Sequence, residues 1–153
     1  LERRRVFPYL TVMQNLILGA WHPKAKEELS GSLSKVYKIF PKLESRSSQL
    51  AHTMFGGEQQ MLAIARGLMG LPKLLMVDEP FLGLSPLVVK DLIKIFKNVV
   101  SEGISILFVE QNVRLALSLA DRGYVLESGR LVISGKSNEL INNEKVKKVF
   151  LGS

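Results

Sequence analysis

Apolar residues in the first third of the chain recur at helical rather than strand spacing. Thr11 precedes the segment VMQNLILGA, which predicts an N-cap followed by a short helix. The Lys- and Ser-rich stretch 24–40 predicts one or two amphipathic helices, and the stretch 41–54 is typical of a connector. No convincing strand pattern interrupts these segments. We therefore expect this part of the chain to form a helical layer.

Beyond Gly57 the chain alternates between amphipathic helices and short, continuous apolar runs. The apolar runs are LLMV at 74–77 and ISILFV at 104–109. The residues predicted to face inward are Met61, Ile64, Ala65 and Leu68 on the first helix, and Val88, Leu92, Ile95, Phe96 and Val99 on the second. Apolar strands separated by a helix are typical of a parallel sheet covered on both faces.

The remaining pattern predicts a helix, a hairpin and a last helical region. A helix is expected at about 114–120, and two alternating segments around 127–130 predict a β-hairpin. Ser137 is placed to cap a helical region over 138–151. The order of elements predicts the α/β class.

The composition is that of a globular domain and excludes several other classes of protein. The chain has 153 residues, of which 46% are hydrophobic and 23% charged, as in a globular domain. No apolar run reaches the roughly 18 to 20 residues needed to span a bilayer. The absence of cysteine excludes disulfides and thiolate metal sites. The net charge of +7 is compatible with nucleic acid, an anionic membrane or phosphate, but it is scattered, which favours an ordinary solvated surface.

Two short motifs have the residue types of a nucleotide site. Asp78 and Glu79 follow a predicted buried strand, where α/β sheets place their ligands; the alternative is a polar turn stopped by Pro80. Gly56 and Gly57 precede a helix whose free N–H groups and dipole favour an anion; the alternative is an ordinary glycine turn. Each motif taken alone leaves both interpretations open.

The order of these motifs resembles a known family. MFGGEQQMLAIARGLMGLPKLLMVDEPFLGLSP resembles the signature motif, helix, Walker B strand and D-loop of ABC transporter ATP-binding subunits, most closely the branched-chain amino acid type. RRVFPYLTVMQNL resembles the segment after the Q-loop, and ILFVEQN the switch-loop strand. The resemblance implies a P-loop NTPase-like (ABC ATPase) fold with a partial parallel sheet that lacks the P-loop strand. The end of the Q-loop and a helical subdomain are expected at 1–53. The signature motif, Walker B strand, D-loop, switch-loop strand and C-terminal hairpin and helix are expected at 54–153.

The resemblance also implies roles for particular residues. Asp78 would be associated with Mg²⁺ through water, and Glu79 would be the catalytic base. Gly56 and Gly57, with Glu58, would form the signature loop that meets the γ-phosphate of ATP held by a second subunit. Gln111 stands at the switch position, although it could equally be a polar residue at a strand end.

Several positions depart from the family pattern. The chain contains no G-x-x-x-x-G-K-[ST] sequence. We therefore expect it to be a fragment or a truncated subunit. The isolated chain is expected neither to bind ATP tightly nor to hydrolyse it. Phe55 occupies the place of the signature serine, and losing a hydroxyl bond to a charged phosphate costs roughly 1.5 to 3 kcal/mol. Ser85 replaces the D-loop aspartate, and Leu1 and Arg3 around Glu2 depart from the Q-loop. The run 104–109 is expected to be an apolar sheet edge that promotes self-association.

The function implied is ATP hydrolysis coupled to branched-chain amino acid import. The expected cofactors are ATP and Mg²⁺, and the expected partners are membrane permease subunits, a second ATP-binding subunit and, indirectly, a solute-binding protein. The expected location is the cytoplasmic face of the cell membrane. One alternative is a degenerate, non-catalytic binding or regulatory subunit. Another is a nucleic-acid-associated ABC ATPase, which the absence of a long coiled-coil insert disfavours, so no nucleic acid is expected.

Overall fold

The computed structural model describes residues 6–147, and the chain divides into two compact units, residues 1–108 and 109–153. The helices of the first unit are α1 (Val12–Gly19), α2 (Pro23–Glu27), α3 (Leu29–Ile39), α4 (Pro41–Glu44), α5 (Gly56–Leu68) and α6 (Pro86–Ser101). The strands β1 (Leu74–Asp78) and β2 (Ser105–Val109) form a small parallel sheet. The second unit contains α7 (Val113–Leu119), β3 (Arg122–Glu127), β4 (Arg130–Lys136), α8 (Ser137–Leu140) and α9 (Glu144–Val146). Glu2 and its neighbours at the Q-loop position lie outside the described residues.

The predicted helical layer at the start of the chain is confirmed. Thr11 caps α1: its Oγ1 accepts from the backbone N–H of Gln14 at 3.2 Å, and the Gln14 side chain accepts from the Thr11 N–H at 2.9 Å. This reciprocal pair satisfies two of the N–H groups at the helix start. The stretch 24–40 contains two helices, α2 and α3, as allowed by its pattern.

Two of the predicted boundaries are wrong. The expected connector at 41–54 contains helix α4 and a 3-10 turn at Ala51–Thr53, because Pro41 supplies the fixed φ suited to a first helical position. Ser137 is the first residue of α8 rather than its cap, and the helical region ends after Leu140. It resumes at α9, whose cap is Asn143, with its side chain accepting from two backbone N–H groups.

The sheet has one covered face and one exposed face. On the covered face, Phe108 of β2 packs against Phe96 of α6 and against Phe81, with ring centroids 5.9 and 6.3 Å apart. On the other face, Leu74, Met76 and Leu107 are exposed. The expectation of a sheet covered on both faces is therefore wrong for the described residues, because α5 and α6 carry the apolar residues that reach only one face.

Helices α1 and α5 approach each other at backbone distance. A Cβ atom added at Gly19 would overlap the backbone carbonyl oxygen of Arg66 and would lie 2.9 Å from Cβ of Met69. Only glycine allows such an approach without displacing a helix. Val12 and Leu16 of α1 and Leu62 and Ala65 of α5 are buried in the same unit. The position of α1 is therefore tied to α5.

The second unit is built on the predicted hairpin. Strand β3 pairs antiparallel with β4, and the turn residues Ser128 and Gly129 have φ values of +47° and +75°. Positive φ at both central positions is typical of a tight hairpin turn. A small core of Leu117, Leu140 and Val146 supports the hairpin. Within residues 6–147, no helix has the length and apolar character to cross a membrane.

Substituting alanine at two helical glycines tests the close approach of α1 and α5. Gly19→Ala should lower the free energy of unfolding by about 1–3 kcal/mol, because the added methyl group overlaps the Arg66 carbonyl. Gly31→Ala in α3 is the matched control: a Cβ there has no neighbour within 4 Å, so it should raise stability by up to about 1 kcal/mol. Denaturant unfolding measures both; equal effects would contradict the packing described.

The exposed sheet face should make the isolated chain self-associate. Leu107→Lys places a charge on this face and should shift the chain towards monomer in sedimentation velocity. Val100→Lys adds the same charge at another exposed apolar position, on α6, and should leave association unchanged. A monodisperse wild-type monomer at high concentration would contradict this expectation.

Candidate functional site

The two predicted catalytic carboxylates lie where β1 ends. Asp78 is the last residue of the strand and is exposed, while Glu79 is half-buried and is followed by the fully buried Pro80. The φ of Glu79 is +44°, in the left-handed region, which costs a non-glycine residue roughly 1–2 kcal/mol. The Leu82 N–H donates to the Glu79 carbonyl at 3.2 Å, which closes a turn. Leu71 and Ser128 also have positive φ values, so the role of Glu79 as the catalytic base stays a prediction.

These carboxylates fit a magnesium ion that takes most of its ligands from elsewhere. Among residues 6–147, no three His, Cys, Asp or Glu side chains cluster as a metal site. Mg²⁺ is usually held by one or two carboxylates together with waters and substrate phosphates, rather than by an all-protein cage. The exposed position of Asp78 suits such a water-mediated contact.

The glycine pair forms the first turn of α5, and Phe55 is its N-cap residue. The Phe55 side chain is 79% exposed and has no atom that can accept a hydrogen bond. The Glu58 side chain accepts from the Phe55 N–H at 3.2 Å and from Nη1 of Arg46 at 2.9 Å. One half of a capping box is therefore present, and the half that a serine or threonine hydroxyl would supply is missing.

Gly57 brings α5 against the start of α6. A Cβ at Gly57 would lie 2.7 Å from Cγ1 of Val88, so the two helices meet closely here. Ser85 is the N-cap of α6, and its hydroxyl accepts from the Val88 N–H at 3.5 Å. A cleft of about 250 Å³ opens beside this contact; its lining residues are Lys42, Phe55, Gly57, Glu58, Met61, Leu87, Val88 and Asp91.

Gln111 belongs to the second compact unit and is the second residue after β2. Its neighbour Asn112 caps α7 by accepting from the Leu115 N–H at 3.0 Å, and the Glu110 side chain accepts from the Asn112 N–H at 3.3 Å. These bonds order the backbone on either side of Gln111, between β2 and α7. The structure thus places the predicted residues in three groups: 56–58 at one helix end, 78–79 at one strand end, and Gln111 after the next strand.

Three polar residues of the first unit were not singled out from the sequence. Arg46 pairs with Glu58, and the Arg66 guanidinium lies 5.1 Å from the centre of the Phe7 ring. Burial lowers the pKa of Arg66 from its ordinary value. Asn15 is completely buried between Val12 and Leu16. The sequence feature that could have indicated Asn15 is its position as an amide residue among the apolar residues of α1. A buried amide requires hydrogen-bond partners.

The missing half of the capping box predicts that Phe55→Ser stabilises the chain. The new hydroxyl can accept from the Gly57 N–H, or share the Glu58 N–H, which donates to the Phe55 carbonyl at 2.9 Å. A good N-cap contributes about 0.5–2 kcal/mol relative to alanine. Phe55→Ala removes the same exposed ring without adding an acceptor, so it isolates the effect of the hydroxyl. Denaturant unfolding of both variants should show the serine variant to be more stable; equal stabilities would contradict the capping account.

Curated relatives match nearly the whole chain. The high-affinity branched-chain amino acid transport ATP-binding protein BraG of Pseudomonas aeruginosa is 47% identical over 151 residues, covering 99% of this chain and 64% of BraG. The probable branched-chain amino acid transport ATP-binding protein LivF of Archaeoglobus fulgidus is 39% identical over 148 residues, covering 96% of this chain and 62% of LivF. The chain thus spans slightly less than two thirds of the length of these relatives.

A solved structure supports the fold. The ADP conformation of MJ1267, an ATP-binding cassette of an ABC transporter, superposes with a TM-score of 0.76 at 24% sequence identity. The superposition covers 95% of this chain and 64% of MJ1267. The predicted fold class, an ABC ATPase-like α/β fold with a small parallel sheet and helices, is confirmed.

The family model described as ABC transporter matches residues 2–82, more than half of the chain. The match includes the glycine pair at the start of α5 and the carboxylates at the end of β1. It agrees with the relatives and with the fold. The chain belongs to the ABC transporter family.

Proposed function

We propose that this chain is part of an ATP-binding subunit that couples ATP hydrolysis to the import of branched-chain amino acids. The observation that carries the proposal is the 47% identity to BraG over 99% of the chain. The identity to LivF, a protein with the same kind of name, supports the same substrate class. ATP and Mg²⁺ are the cofactors proposed, and they agree with the family.

The residues of this chain would act on a nucleotide from two directions. When bound, Mg²⁺ neutralises phosphate charge. Asp78 would hold it through water, and Glu79 would orient the attacking water or accept its proton. Gly56, Gly57 and Glu58 would face the γ-phosphate of ATP bound by a second ATP-binding subunit, with the N–H groups of the first turn of α5 directed at the anion. Gln111 can donate or accept a hydrogen bond but cannot titrate near neutral pH.

An exposed apolar surface on α1 suits docking to membrane permease subunits. Met13, Ile17 and Leu18 are between 41% and 46% exposed. Tyr9 before the helix is 82% exposed, and Trp21 after it is 74% exposed. No Asp, Glu, Lys or Arg occurs from residue 6 to residue 21. We name these five residues the α1 patch; an uncharged, apolar surface with aromatic residues is typical of a protein-binding site.

Docking of the α1 patch to a permease would place the chain at the cytoplasmic face of the cell membrane. A solute-binding protein would then take part only indirectly, through the permease. No nucleic acid partner is proposed, because BraG and LivF are both named as amino acid transport proteins.

A non-catalytic subunit is the second candidate, and Phe55 is the observation that favours it. An exposed ring at the N-cap of α5 occupies the place where the family has a serine. The ring cannot donate to a phosphate oxygen, and it stands beside the helix end that would approach the nucleotide. Such a chain would assemble with partners without contributing to hydrolysis.

The catalytic proposal predicts a specific loss at Glu79. The isolated chain should show no micromolar affinity for Mg-ATP. Fused to the P-loop segment of a branched-chain amino acid ATP-binding subunit, it should hydrolyse ATP. Glu79→Gln should lower the rate by roughly 10²–10⁴-fold, as expected for loss of a general base, with little change in ATP affinity. Glu102→Gln, at the C-cap of α6, removes a carboxylate remote from the site and should leave the rate unchanged.

The same fusion separates the two candidates. A fusion that binds ATP without hydrolysing it, and that gains activity when Phe55→Ser is introduced, would support the non-catalytic subunit. Hydrolysis that is insensitive to Glu79→Gln would contradict the assignment of the base.

A further inference from the structure

Asn15 is a completely buried polar residue whose side chain holds a turn that precedes its own helix. Its Oδ1 accepts from the Phe7 N–H at 2.8 Å. Its Nδ2 lies 3.0 Å from the carbonyl oxygens of Phe7 and Thr11 and 3.3 Å from that of Leu10. A buried amide with partners for both its oxygen and its nitrogen fixes the backbone that it contacts. The turn at residues 7–10 therefore has its shape set from α1.

The opposite side of this turn is attached to the residues that lead into α5. The Ala51 N–H donates to the Leu10 carbonyl at 3.0 Å, and the His52 N–H donates to the Pro8 carbonyl at 3.0 Å. Nδ1 of His52 also lies 3.0 Å from the Pro8 oxygen. The Ala51 carbonyl in turn accepts from the Gln59 side chain of α5 at 3.0 Å. The turn is thus held between α1 and the approach to the glycine pair.

The residue that this turn presents is the most exposed member of the α1 patch. Tyr9 is 82% exposed, and its ring lies 5.8 Å from the His52 ring, in a tilted arrangement. An exposed aromatic side chain on a fixed backbone loses little conformational freedom on binding, which suits it to anchor a partner. Without Asn15, the turn would lose the bonds that fix it to α1, so its bonds to Ala51 and His52 would still form but would open more often.

We propose that Asn15 is the positioning residue of the α1 patch: it holds the turn at residues 7–10 so that Tyr9 is presented to the permease partner. The proposal rests on the proposed function for the identity of that partner. Asn15 does not contact the partner itself. It acts through the turn, and the same turn links the patch to the residues that enter α5.

Amide hydrogen exchange tests the positioning role on the chain alone. In Asn15→Ala and Asn15→Ser, exchange of the Leu10, Ala51 and His52 amides should accelerate roughly tenfold or more, since local opening is reported amide by amide. The Met13 amide, which donates to the Ser47 carbonyl outside the turn, should change less than about twofold. Asn15→Ser keeps a possible bond to the Thr11 carbonyl within the helix, so it remains usable if Asn15→Ala does not fold.

Val12→Ala is the matched control, because Val12 is buried on the same helix and its side chain has no polar atom. It should accelerate all four amides together. If the Asn15 variants do the same, or leave the turn amides unchanged, Asn15 has only a general stabilising role and the proposal is overturned.

A double-mutant cycle of Asn15 and Tyr9 tests whether Asn15 affects the affinity for the permease through Tyr9. The probe is the detergent-solubilised permease of the BraG transporter. Asn15→Ser and Tyr9→Ala should each weaken its binding by roughly tenfold, as for an anchor residue. The double variant should bind about as weakly as Tyr9→Ala alone, because both changes remove one contact. Independent, multiplying losses would show that Asn15 does not act through Tyr9, and an unchanged affinity for Asn15→Ser would overturn the proposal.

The two measurements fail separately. If the wild-type chain does not bind the permease, the proposed partner is wrong. The proposal that Tyr9 is presented to that partner is then wrong as well. The exchange experiment still decides whether Asn15 holds the turn. If the permease binds but the Asn15 variants behave as Val12→Ala does, the proposed function stands and the role of Asn15 is wrong.

Discussion

Close packing around helix α5 is the constraint on which the rest of the first unit depends. Glycine permits this packing at three points: Gly19 of α1 lies against the Arg66 backbone, Gly57 against Val88 of α6, and Gly67 against Leu75 of β1, where an added Cβ would lie 3.0 Å from Cδ1. Side chains at these points would push the neighbouring elements away. Because these contacts leave no free space, a movement of α5 would also move the elements packed against it. The apolar patch, the glycine end and the strand that carries the carboxylates are all attached to the same helix.

The sequence pattern correctly predicted the helices and strands in which buried residues repeat at a regular helical or strand spacing. Helices α1, α5 and α6, strands β1 and β2, and the hairpin were all expected where they occur, because their apolar positions repeat at helical or strand spacing. The failures have local causes. Helix α4 starts at Pro41, where backbone geometry outweighs a polar composition, and Asn143 rather than Ser137 caps the last helical turn. The exposed sheet face was also missed, because a continuous apolar run does not reveal which side is covered.

The candidate site was predictable in its residue types but not in its local geometry. Motif order singled out Asp78, Glu79 and the glycine pair as candidates. It could not reveal the positive φ of Glu79, which depends on the turn closed by Leu82, nor the pairing of Glu58 with Arg46. At Phe55, both the sequence and the structure lack the hydroxyl group that is expected at the N-cap of α5. The chain retains the backbone and the acidic half of the cap, but the hydroxyl that would complete the cap and contact a phosphate is missing.

We propose that this chain contributes the signature and Walker B portion of a branched-chain amino acid importer. The most direct measurement is radiolabelled leucine uptake in a Pseudomonas aeruginosa strain that lacks BraG. The strain would express a BraG in which this chain replaces the 151 matching residues. We expect ATP-dependent uptake well above that of the strain without any BraG. Normal expression and membrane assembly of the chimera without leucine uptake would contradict it.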